Sequence, residues 1–289
     1  MQGGNLPGHV AGAQAQTPLS MANLVHWPCE AIWEAVAPVL PGFTVEVLPQ
    51  VDSTNTELMR RARSGRLEPV LLVTEQQTAG RGRLGRQWLS GADHLGRAPT
   101  ALTFSLGLTL APVDWSGLSL AVGVSVAQSL HPEICLKWPN DLWWRDRKLA
   151  GILIETANLG AAGAGRYVVI GVGLNIQAPT AQGLSTVPMG LTELLPAVDA
   201  AQALGRIAAP LVRTVQMFEA RGFAPFQVAF NACDALAQVP VTLSDGLQGV
   251  AQGVDASGAL LVHTAQGVQR VTSSEVSVRP QSRPSDDHV

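Results

Sequence analysis

Three arginines and three glycines fall within seven consecutive positions of this 289-residue chain, at the start of the segment GRGRLGRQW (80–88). Guanidinium groups bind carboxylates and phosphates through paired, charge-assisted hydrogen bonds. Glycines let the backbone approach a ligand closely. The segment therefore predicts a loop that binds an anion.

The same letters satisfy the dinucleotide pattern G-x-G-x-x-G, which requires a helix directly after the glycines. The following residues, QWLSGADHLGRAP, contain glycines and a proline and predict no helix. A nucleic-acid-binding strip would need repeated Arg-Gly units with interleaved aromatic residues, and only Trp88 is close by. A solvated loop with incidental arginines remains the simplest alternative.

The chain has 17 arginines but only two lysines, Lys137 and Lys148, and both lie within KWPNDLWWRDRK. An ammonium is compact and strongly hydrated, so arginine does not replace it where one oxygen must be contacted. We interpret the pair as part of an anion site, with chance placement as the alternative. Between them, Asn140 and Asp141 either cap a turn or contact a nucleotide and its magnesium.

Glycines also interrupt two strand-like segments. Gly151 follows Lys148 in one of them, and Gly171 and Gly173 lie near the end of another. They either mark a bulge or leave room for a flat ligand. Ser-Thr-Asn at 53–55 opens a predicted helix, STNTELMRRARSG, in which Thr54 and Glu57 have the spacing of a capping box and Gly65 ends the helix.

The surrounding pattern predicts the elements that position these residues. Strands are predicted at TVEVLPQ, PVLLVTEQQ, TALTFSLGLTL and YVVIGVGLNI, and a strand, a turn and a second strand in ICLKWPNDLWWRDRKLAGILIETA. Helices are predicted at GLSLAVGVSVAQSL and within 200–232. Because strands and helices do not alternate regularly, an α+β fold is favoured over a doubly wound one. After about residue 231, short alternating segments predict a small β-barrel.

Composition excludes several classes of protein. The net charge of −3 provides no overall basic field for nucleic acid or anionic lipid. Three widely spaced cysteines predict neither a disulfide framework nor a zinc site. No apolar run reaches the ~18 residues of a membrane helix, and the N-terminal residues lack the basic positions of a secretion signal. We therefore expect a cytoplasmic protein. The first basic residue is Arg60, so no DNA-binding module is expected before it.

Taken in order, the motifs resemble those of the biotin protein ligases, the biotin–[acetyl-CoA-carboxylase] ligases. They are Ser-Thr-Asn, Gln-Gln-x-Ala-Gly-Arg-Gly-Arg-x-Gly-Arg-x-Trp, Lys-Trp-Pro-Asn-Asp-Leu, Arg-Lys-Leu-Ala-Gly-Ile-Leu-x-Glu and Gly-x-Gly-x-Asn. The resemblance extends from about residue 51 to 279. It implies an α+β catalytic domain like that of class II aminoacyl-tRNA synthetases, with a mixed sheet flanked by helices, followed by an SH3-like barrel. The repressor members carry an N-terminal DNA-binding domain, and the sequence resembles the monofunctional type instead.

The resemblance implies an ATP- and Mg²⁺-dependent reaction in two steps. Biotin and ATP form biotinyl-5′-AMP, and a lysine of the biotin carboxyl carrier protein then takes the biotin. The alternatives are a lipoate-protein ligase, which shares the fold, and a nucleic-acid-binding protein that uses the Arg-Gly loop. We expect no DNA or membrane partner, and a monomer or a homodimer.

The implied domains are an N-terminal extension, partly disordered (1–45), a catalytic biotin- and ATP-binding domain (46–233), the barrel (234–280) and a disordered tail (281–289). The implied catalytic residues are Lys148 and Arg83. The implied biotin-binding residues are Ser53, Thr54, Asn55, Gln77, Gly80, Arg81, Gly82, Arg83, Lys148, Gly151, Leu153, Gly171 and Gly173. The implied ATP-binding residues are Arg81, Arg83, Arg86, Trp88, Asn140, Asp141, Lys148 and Asn175, with Asp141 also implied for Mg²⁺.

Two positions depart from the family pattern. Leu84 stands where well-known bacterial members often have another arginine, which weakens the positive charge of the loop. There is also no tryptophan between Ala178 and Glu193, where some members have one that covers the adenine.

Overall fold

The computed structural model describes residues 25–91, 98–158, 165–180, 186–272 and 278–280. The predictions for residues 1–24 and for the tail 281–289 lie outside the described residues. Within the described ranges, no helix is both long and apolar enough to cross a membrane.

The larger part of the fold is a seven-stranded mixed sheet in the order β1-β2-β3-β7-β6-β5-β4. In chain order its strands are Thr44–Val51 (β1), Val70–Gln77 (β2), Ala101–Leu110 (β3), Cys135–Lys137 (β4), Asp141–Trp144 (β5), Arg147–Asn158 (β6) and Arg166–Asn175 (β7). Only β1 and β2 run parallel, and the other neighbours are antiparallel. The predicted α+β class is therefore confirmed.

In the part of the chain that the structure describes, five α-helices accompany the two sheets: Cys29–Val36 (α1), Thr54–Arg63 (α2), Leu118–Leu130 (α3), Ala200–Arg221 (α4) and Gln227–Ala232 (α5). On one face of the large sheet, α1, α3 and α4 cover an extensive apolar core. On the other face, α2 packs Leu58 and Met59 against Leu72 and Val169 in a smaller core. The sequence analysis predicted no helix before residue 44, but α1 buries Ile32 and Val36 in the main core.

The start of α2 differs from its prediction by one residue. The N-cap is Ser53, whose hydroxyl accepts a 3.5 Å hydrogen bond from the backbone N–H of Thr56, so the predicted Thr54–Glu57 capping box is wrong. Glu57 instead pairs with Arg61 at 2.8 Å, one helical turn away, and is not available to the backbone. Gly65 follows the helix end in a left-handed conformation (φ 86°), as predicted.

Residues 134–157 form three strands, where the sequence predicted two. The extra strand is β5, which the Trp138–Asp141 turn joins to β4 and the pair Arg145–Asp146 joins to β6. Both residues of that pair have positive φ, 46° and 61°, the backbone of a two-residue hairpin turn. Glycine and asparagine usually signal such a turn, and their absence here concealed it.

The C-terminal part is a five-stranded antiparallel sheet in the order β11-β10-β9-β8-β12. Its strands are Pro240–Leu243 (β8), Gln248–Val254 (β9), Leu260–Thr264 (β10), Gly267–Val271 (β11) and Val278–Pro280 (β12). The indole N–H of Trp138, in the turn after β4, donates a 3.1 Å hydrogen bond to the Gly258 carbonyl, in the turn between β9 and β10. The Leu136 N–H of β4 donates to the Cys233 carbonyl, in the segment between the two sheets, at 2.7 Å. The segment between the sheets therefore packs against the edge strand β4.

Asp234 lies in that connecting segment, and its carboxylate is buried. One oxygen accepts a 2.9 Å hydrogen bond from the Leu236 N–H, and the other is buried without a hydrogen-bond partner among the described residues. Burial raises the pKa of Asp234 from its ordinary value of 3.8 to about 6. At neutral pH the fold therefore holds a charged carboxylate that is only half satisfied.

We predict that Asp234→Asn stabilises the protein at neutral pH by on the order of 2 kcal/mol. The native state holds the Asp234 proton more tightly than the unfolded state does, so this group's contribution to stability falls as the pH rises from 3.8 to 6. Urea unfolding at pH 4.5 and 7.5 measures the effect. A difference between variant and wild type that does not grow from the lower to the higher pH would contradict the assignment.

Candidate functional site

A cleft opens on the α2 face of the large sheet, beyond the N-terminal end of α2. Side chains alternate along a strand, so this face shows every second residue of β3, β6 and β7. At the cleft most of those residues are small: Thr103 on β3, Gly151 on β6, and Gly171 and Gly173 on β7, with Leu153 of β6 as the larger exception. The floor is therefore low, and the cleft has a volume of about 180 Å³.

The two glycines of β7 make room for side chains of the protein itself. A Cβ atom at Gly171 would overlap the amide of Asn55, and one at Gly173 would overlap the indole of Trp88. The pairing of β7 with β3 and β6 is continuous at both residues, so the bulge alternative is excluded. Asn55 and Trp88 thus lie directly on the sheet, and both line the cleft.

A neutral hydrogen-bonding network forms the end of the cleft at the start of α2. The backbone N–H and the hydroxyl of Thr54 both donate to Oε1 of Gln77, at 2.9 and 3.2 Å. Ser105 places its hydroxyl 2.7 Å from that of Thr54 and 2.6 Å from Oδ1 of Asn55. Asn55 in turn donates to the Leu153 carbonyl at 3.1 Å. These side chains are fixed before any ligand binds.

The glycine-arginine segment is a closed hairpin. Trp88 N–H donates to the Gly80 carbonyl at 2.9 Å, and Gly82 N–H donates to the Arg86 carbonyl at 2.7 Å. Gly80 is required at the base, because a Cβ there would overlap the Trp88 carbonyl. At the tip, Leu84 has φ 55°, in the left-handed region. Residues 86–91, which directly follow the glycines, form no helix, so the dinucleotide alternative is excluded.

The three arginines of the hairpin have different surroundings. Arg81 forms an ion pair with Glu155 at 2.9 Å. Arg83 is half-buried and donates to Oδ1 of Asn140 at 3.4 Å, and burial lowers its guanidinium pKa. Arg86 is exposed at the cleft wall. The charge of Arg81 is thus balanced by Glu155, which also accepts a 3.0 Å hydrogen bond from Asn55, and Arg83 and Arg86 bring positive charge to the cleft wall.

Lys148 and Asp141 form the ion pair at this cationic end, with Nζ and Oδ1 2.8 Å apart. The ammonium also lies 5.9 Å from the Trp88 ring centroid, within the range of a cation–π contact. Lys137 lines the same cleft, opposite Asp141 in the β4–β5 register. Burial lowers the pKa of Lys137, and its ammonium lies over the Trp143 ring at 5.1 Å.

Two asparagines predicted as ligand contacts hold the walls together. The side chain of Asn140, in the turn between β4 and β5, donates to the carbonyl of Ile152 in β6 at 2.8 Å. Asn175 donates to the Met189 carbonyl at 3.0 Å, joining the end of β7 to the segment beside Lys148. Their amide N–H groups therefore stabilise the backbone around the cleft.

All the predicted site residues except Gly80, at the hairpin base, line this cleft. The sequence analysis missed Thr103, Lys137, Pro188 and Val278, which also line it. The paired lysines were a signal for Lys137, although only Lys148 was assigned. No local pattern indicated Thr103, Pro188 and Val278, because each belongs to a different segment of the chain that reaches the cleft only in the folded structure.

The cleft provides little for a metal ion on its own. Among the residues that the structure describes, no group of three or more His, Cys, Asp or Glu could hold one. Asp141 is the one acidic residue among those lining the cleft. Magnesium is commonly bound by one or two carboxylates together with substrate phosphates. The residues therefore fit a magnesium ion that arrives with a nucleotide, and do not fit an all-protein metal site.

Comparisons with known proteins agree on one family. The family model "Biotin/lipoate A/B protein ligase family" matches residues 47–175, and "Biotin protein ligase C terminal domain" matches residues 238–279. The chain is 35% identical to the bifunctional ligase/repressor BirA of Escherichia coli, over 83% of this chain and 75% of that protein. It is 36% identical to the biotin–[acetyl-CoA-carboxylase] ligase of Mycobacterium tuberculosis, over 80% and 88%.

A solved structure shares the architecture. The biotin protein ligase of Aquifex aeolicus in complex with biotin and ATP superposes with a TM-score of 0.69 at 26% identity, covering 82% of this chain and 99% of that one. The predicted fold, a helix-flanked mixed sheet followed by a small antiparallel β domain, is thereby confirmed.

We predict that Gly173→Ala displaces Trp88 and opens the hairpin, because the new methyl group would overlap the indole. The hairpin contains Arg81, Arg83 and Arg86, so its opening should speed tryptic cleavage there by tenfold or more, an order-of-magnitude expectation for loss of local protection. Mass spectrometry of limited digests measures it. Gly151→Ala is the matched control, since its Cβ would lie 3.4 Å from the same ring, an ordinary contact. Equal cleavage rates in the two variants would refute the packing argument.

Proposed function

The chain belongs to the biotin protein ligase family, and from this premise we propose that it attaches biotin to a lysine of the biotin carboxyl carrier protein of an acetyl-CoA carboxylase. ATP drives the reaction, and biotinyl-5′-AMP is the proposed intermediate. The proposed catalytic unit comprises residues 46–233, with the small C-terminal sheet of residues 234–280 packed against it.

The observation that carries the proposal is the polarity of one cleft, which has a neutral hydrogen-bonding end and a cationic end. Biotin has a neutral ureido ring at one end and a carboxylate at the other. Thr54, Asn55 and Gln77 suit the ring, and Lys148 and Arg83 suit the carboxylate. The distribution of charge in the cleft thus matches a ligand whose charge lies at one end only.

In the first step, a carboxylate oxygen of biotin attacks the α-phosphorus of ATP, and the bond to the β-phosphate breaks to release pyrophosphate. Both reactants are anions, and bringing them together requires local positive charge in a site of low dielectric constant. Lys148 and the guanidinium groups of Arg83 and Arg86 line the same end of the cleft and would supply it. Asp141 would orient the Lys148 ammonium and contact the magnesium that accompanies the nucleotide.

In the second step, the amine of the acceptor lysine attacks the acyl carbon of the anhydride, an amide forms and AMP leaves. Neither step needs a nucleophile from the protein, because the substrates provide their own. The enzyme's contribution is orientation, charge stabilisation and exclusion of water from the anhydride. The hairpin, with Trp88 on the sheet, supports this role because it covers one side of the cleft.

The assay that tests the function is ATP–pyrophosphate exchange with biotin or lipoate as the acid. We expect exchange with biotin and none above background with lipoate, since lipoate offers no ureido group to the network of Thr54 and Gln77. Transfer to a carrier domain, detected with streptavidin, tests the second step. Exchange with lipoate alone would overturn the proposal in favour of the lipoate-ligase alternative.

The nucleic-acid alternative has its own measurement, retention on heparin or single-stranded DNA at low salt. The isoelectric point near 6.1 favours little retention, and Arg81 is already paired with Glu155. Strong, salt-sensitive retention together with absent pyrophosphate exchange would reverse the assignment.

We predict that Lys148→Ala slows biotin-dependent pyrophosphate exchange by roughly 10²-fold or more, the scale of losing one preorganised charge-stabilising donor. The reason is that its ammonium, 2.8 Å from Asp141, lies where the carboxylate and the phosphate would meet. Arg206→Ala, an exposed cation on α4 far from the cleft, is the control and should leave exchange unchanged. Wild-type exchange in the Lys148 variant would remove this residue from the mechanism.

A further inference from the structure

Arg147 is the first residue of the motif Arg-Lys-Leu-Ala-Gly-Ile-Leu-x-Glu, and the mechanism proposed above gives it no role. It directly precedes Lys148 at the start of β6. Its guanidinium donates to the Pro188 carbonyl from Nε and Nη2, at 3.2 and 2.9 Å. It also donates to both oxygens of Glu193, from Nη1 at 2.5 Å and from Nη2 at 2.9 Å. One side chain thus joins β6 to two points of residues 187–193, here called the wall segment.

The wall segment takes the place of β7 beside Lys148. Strand β7 ends at Asn175, and its pairing with β6 reaches Ala150. Next along β6, the N–H of Lys148 donates to the Val187 carbonyl and the Met189 N–H donates to the Lys148 carbonyl, both at 2.9 Å. The backbone of Lys148 is therefore held on this side by the wall segment.

Side chains strengthen the attachment of the wall segment. Two backbone hydrogen bonds do little more than offset the entropy that is lost when the residues around them are ordered. Arg147 binds the Pro188 carbonyl, which takes no part in the ladder with Lys148, and Glu193 accepts a 2.9 Å hydrogen bond from the Gly190 N–H. The guanidinium holds the pKa of Glu193 below its ordinary value, so the carboxylate stays charged at neutral pH. Because a charged, two-pronged contact is stronger than a neutral hydrogen bond, this ion pair is the strongest of these contacts.

The wall segment also borders the cleft. Pro188 lines the cleft, and the side chain of Lys148 reaches into it to form the 2.8 Å ion pair with Asp141. Arg147 and Glu193 do not line the cleft, and their side chains are 32% and 36% exposed. The two residues can therefore affect the substrates only through the residues that they hold.

We propose that Arg147 and Glu193 are positioning residues for the first step, an inference that rests on the proposed function. Their ion pair holds the wall segment against β6, and the wall segment in turn holds the backbone of Lys148. The Lys148 ammonium is thereby kept where the carboxylate of biotin and the α-phosphate meet. Without the ion pair the wall segment is free to shift, and the ammonium shifts with it.

The test is Arg147→Gln, which removes the charge and the paired donors. We expect kcat of biotin-dependent pyrophosphate exchange to fall about tenfold, a loss that a small displacement of a catalytic group can cause. Glu193→Gln leaves the Pro188 contact in place and should lower kcat by a smaller factor. The decisive measurement repeats both changes in the Lys148→Ala background. There each should lower the rate less than about twofold, because the residue through which it acts is gone.

The matched control is Arg270→Gln, because Arg270 also pairs with a carboxylate, that of Asp255, but in the C-terminal sheet and away from the cleft lining. It should leave exchange unchanged. Should Arg147→Gln not fold, Glu193→Gln in the two backgrounds decides alone. An unchanged kcat, or an equal fall in the control, would overturn the inference. So would an undiminished fall in the Lys148→Ala background, since a merely structural effect lowers the rate by the same factor in both. Absent exchange in the wild-type enzyme would instead sink the proposed function.

Discussion

The cleft is organised around one ion pair, between the ammonium of Lys148 and the carboxylate of Asp141. The backbone of Lys148 is held by hydrogen bonds to Val187 and Met189, and Asp141 is fixed by its pairing with Lys137 and Gly151 in the sheet. Two anionic substrates repel each other, so a cation must already be in place where they meet. An ammonium positioned by backbone and carboxylate together needs little reorganisation at the moment of reaction.

The same sheet face explains why the cleft exists. Alternation along β3, β6 and β7 points one set of residues toward α1, α3 and α4 and the other set toward α2. Where α2 covers the face, Tyr167 and Val169 of β7 join the helix in a small core. Beyond the helix the face carries Thr103, Leu153 and glycines, and Asn55 and Trp88 lie on two of those glycines. The site is thus the uncovered part of a surface whose other part is packed.

The arginine-rich hairpin divides its functions among residues of one type. All three arginines line the cleft, and Arg81 also holds the hairpin to the sheet through its ion pair with Glu155. Burial lowers the pKa of Arg83, a sign that its charge is poorly solvated. An incoming carboxylate or phosphate would relieve that cost. The hairpin is therefore suited to bind an anion, and its backbone hydrogen bonds keep the hairpin closed.

Residue types and local periodicity determined much of this protein. Features that depend only on residue types within a short segment could be predicted from the sequence. They are the cationic hairpin, the two lysines, the polar start of α2 and most strands. The tertiary structure decided what depends on register between distant segments: that Gly173 faces Trp88, that Lys137 shares the cleft, and that Val278 reaches it from the second sheet. It also decided the role of α1, whose burial depends on α4 about 170 residues later. Such contacts leave no pattern in the sequence, because the local pattern around each residue reflects only its own strand or helix. The partner residue is distant in the chain and is brought close only by folding.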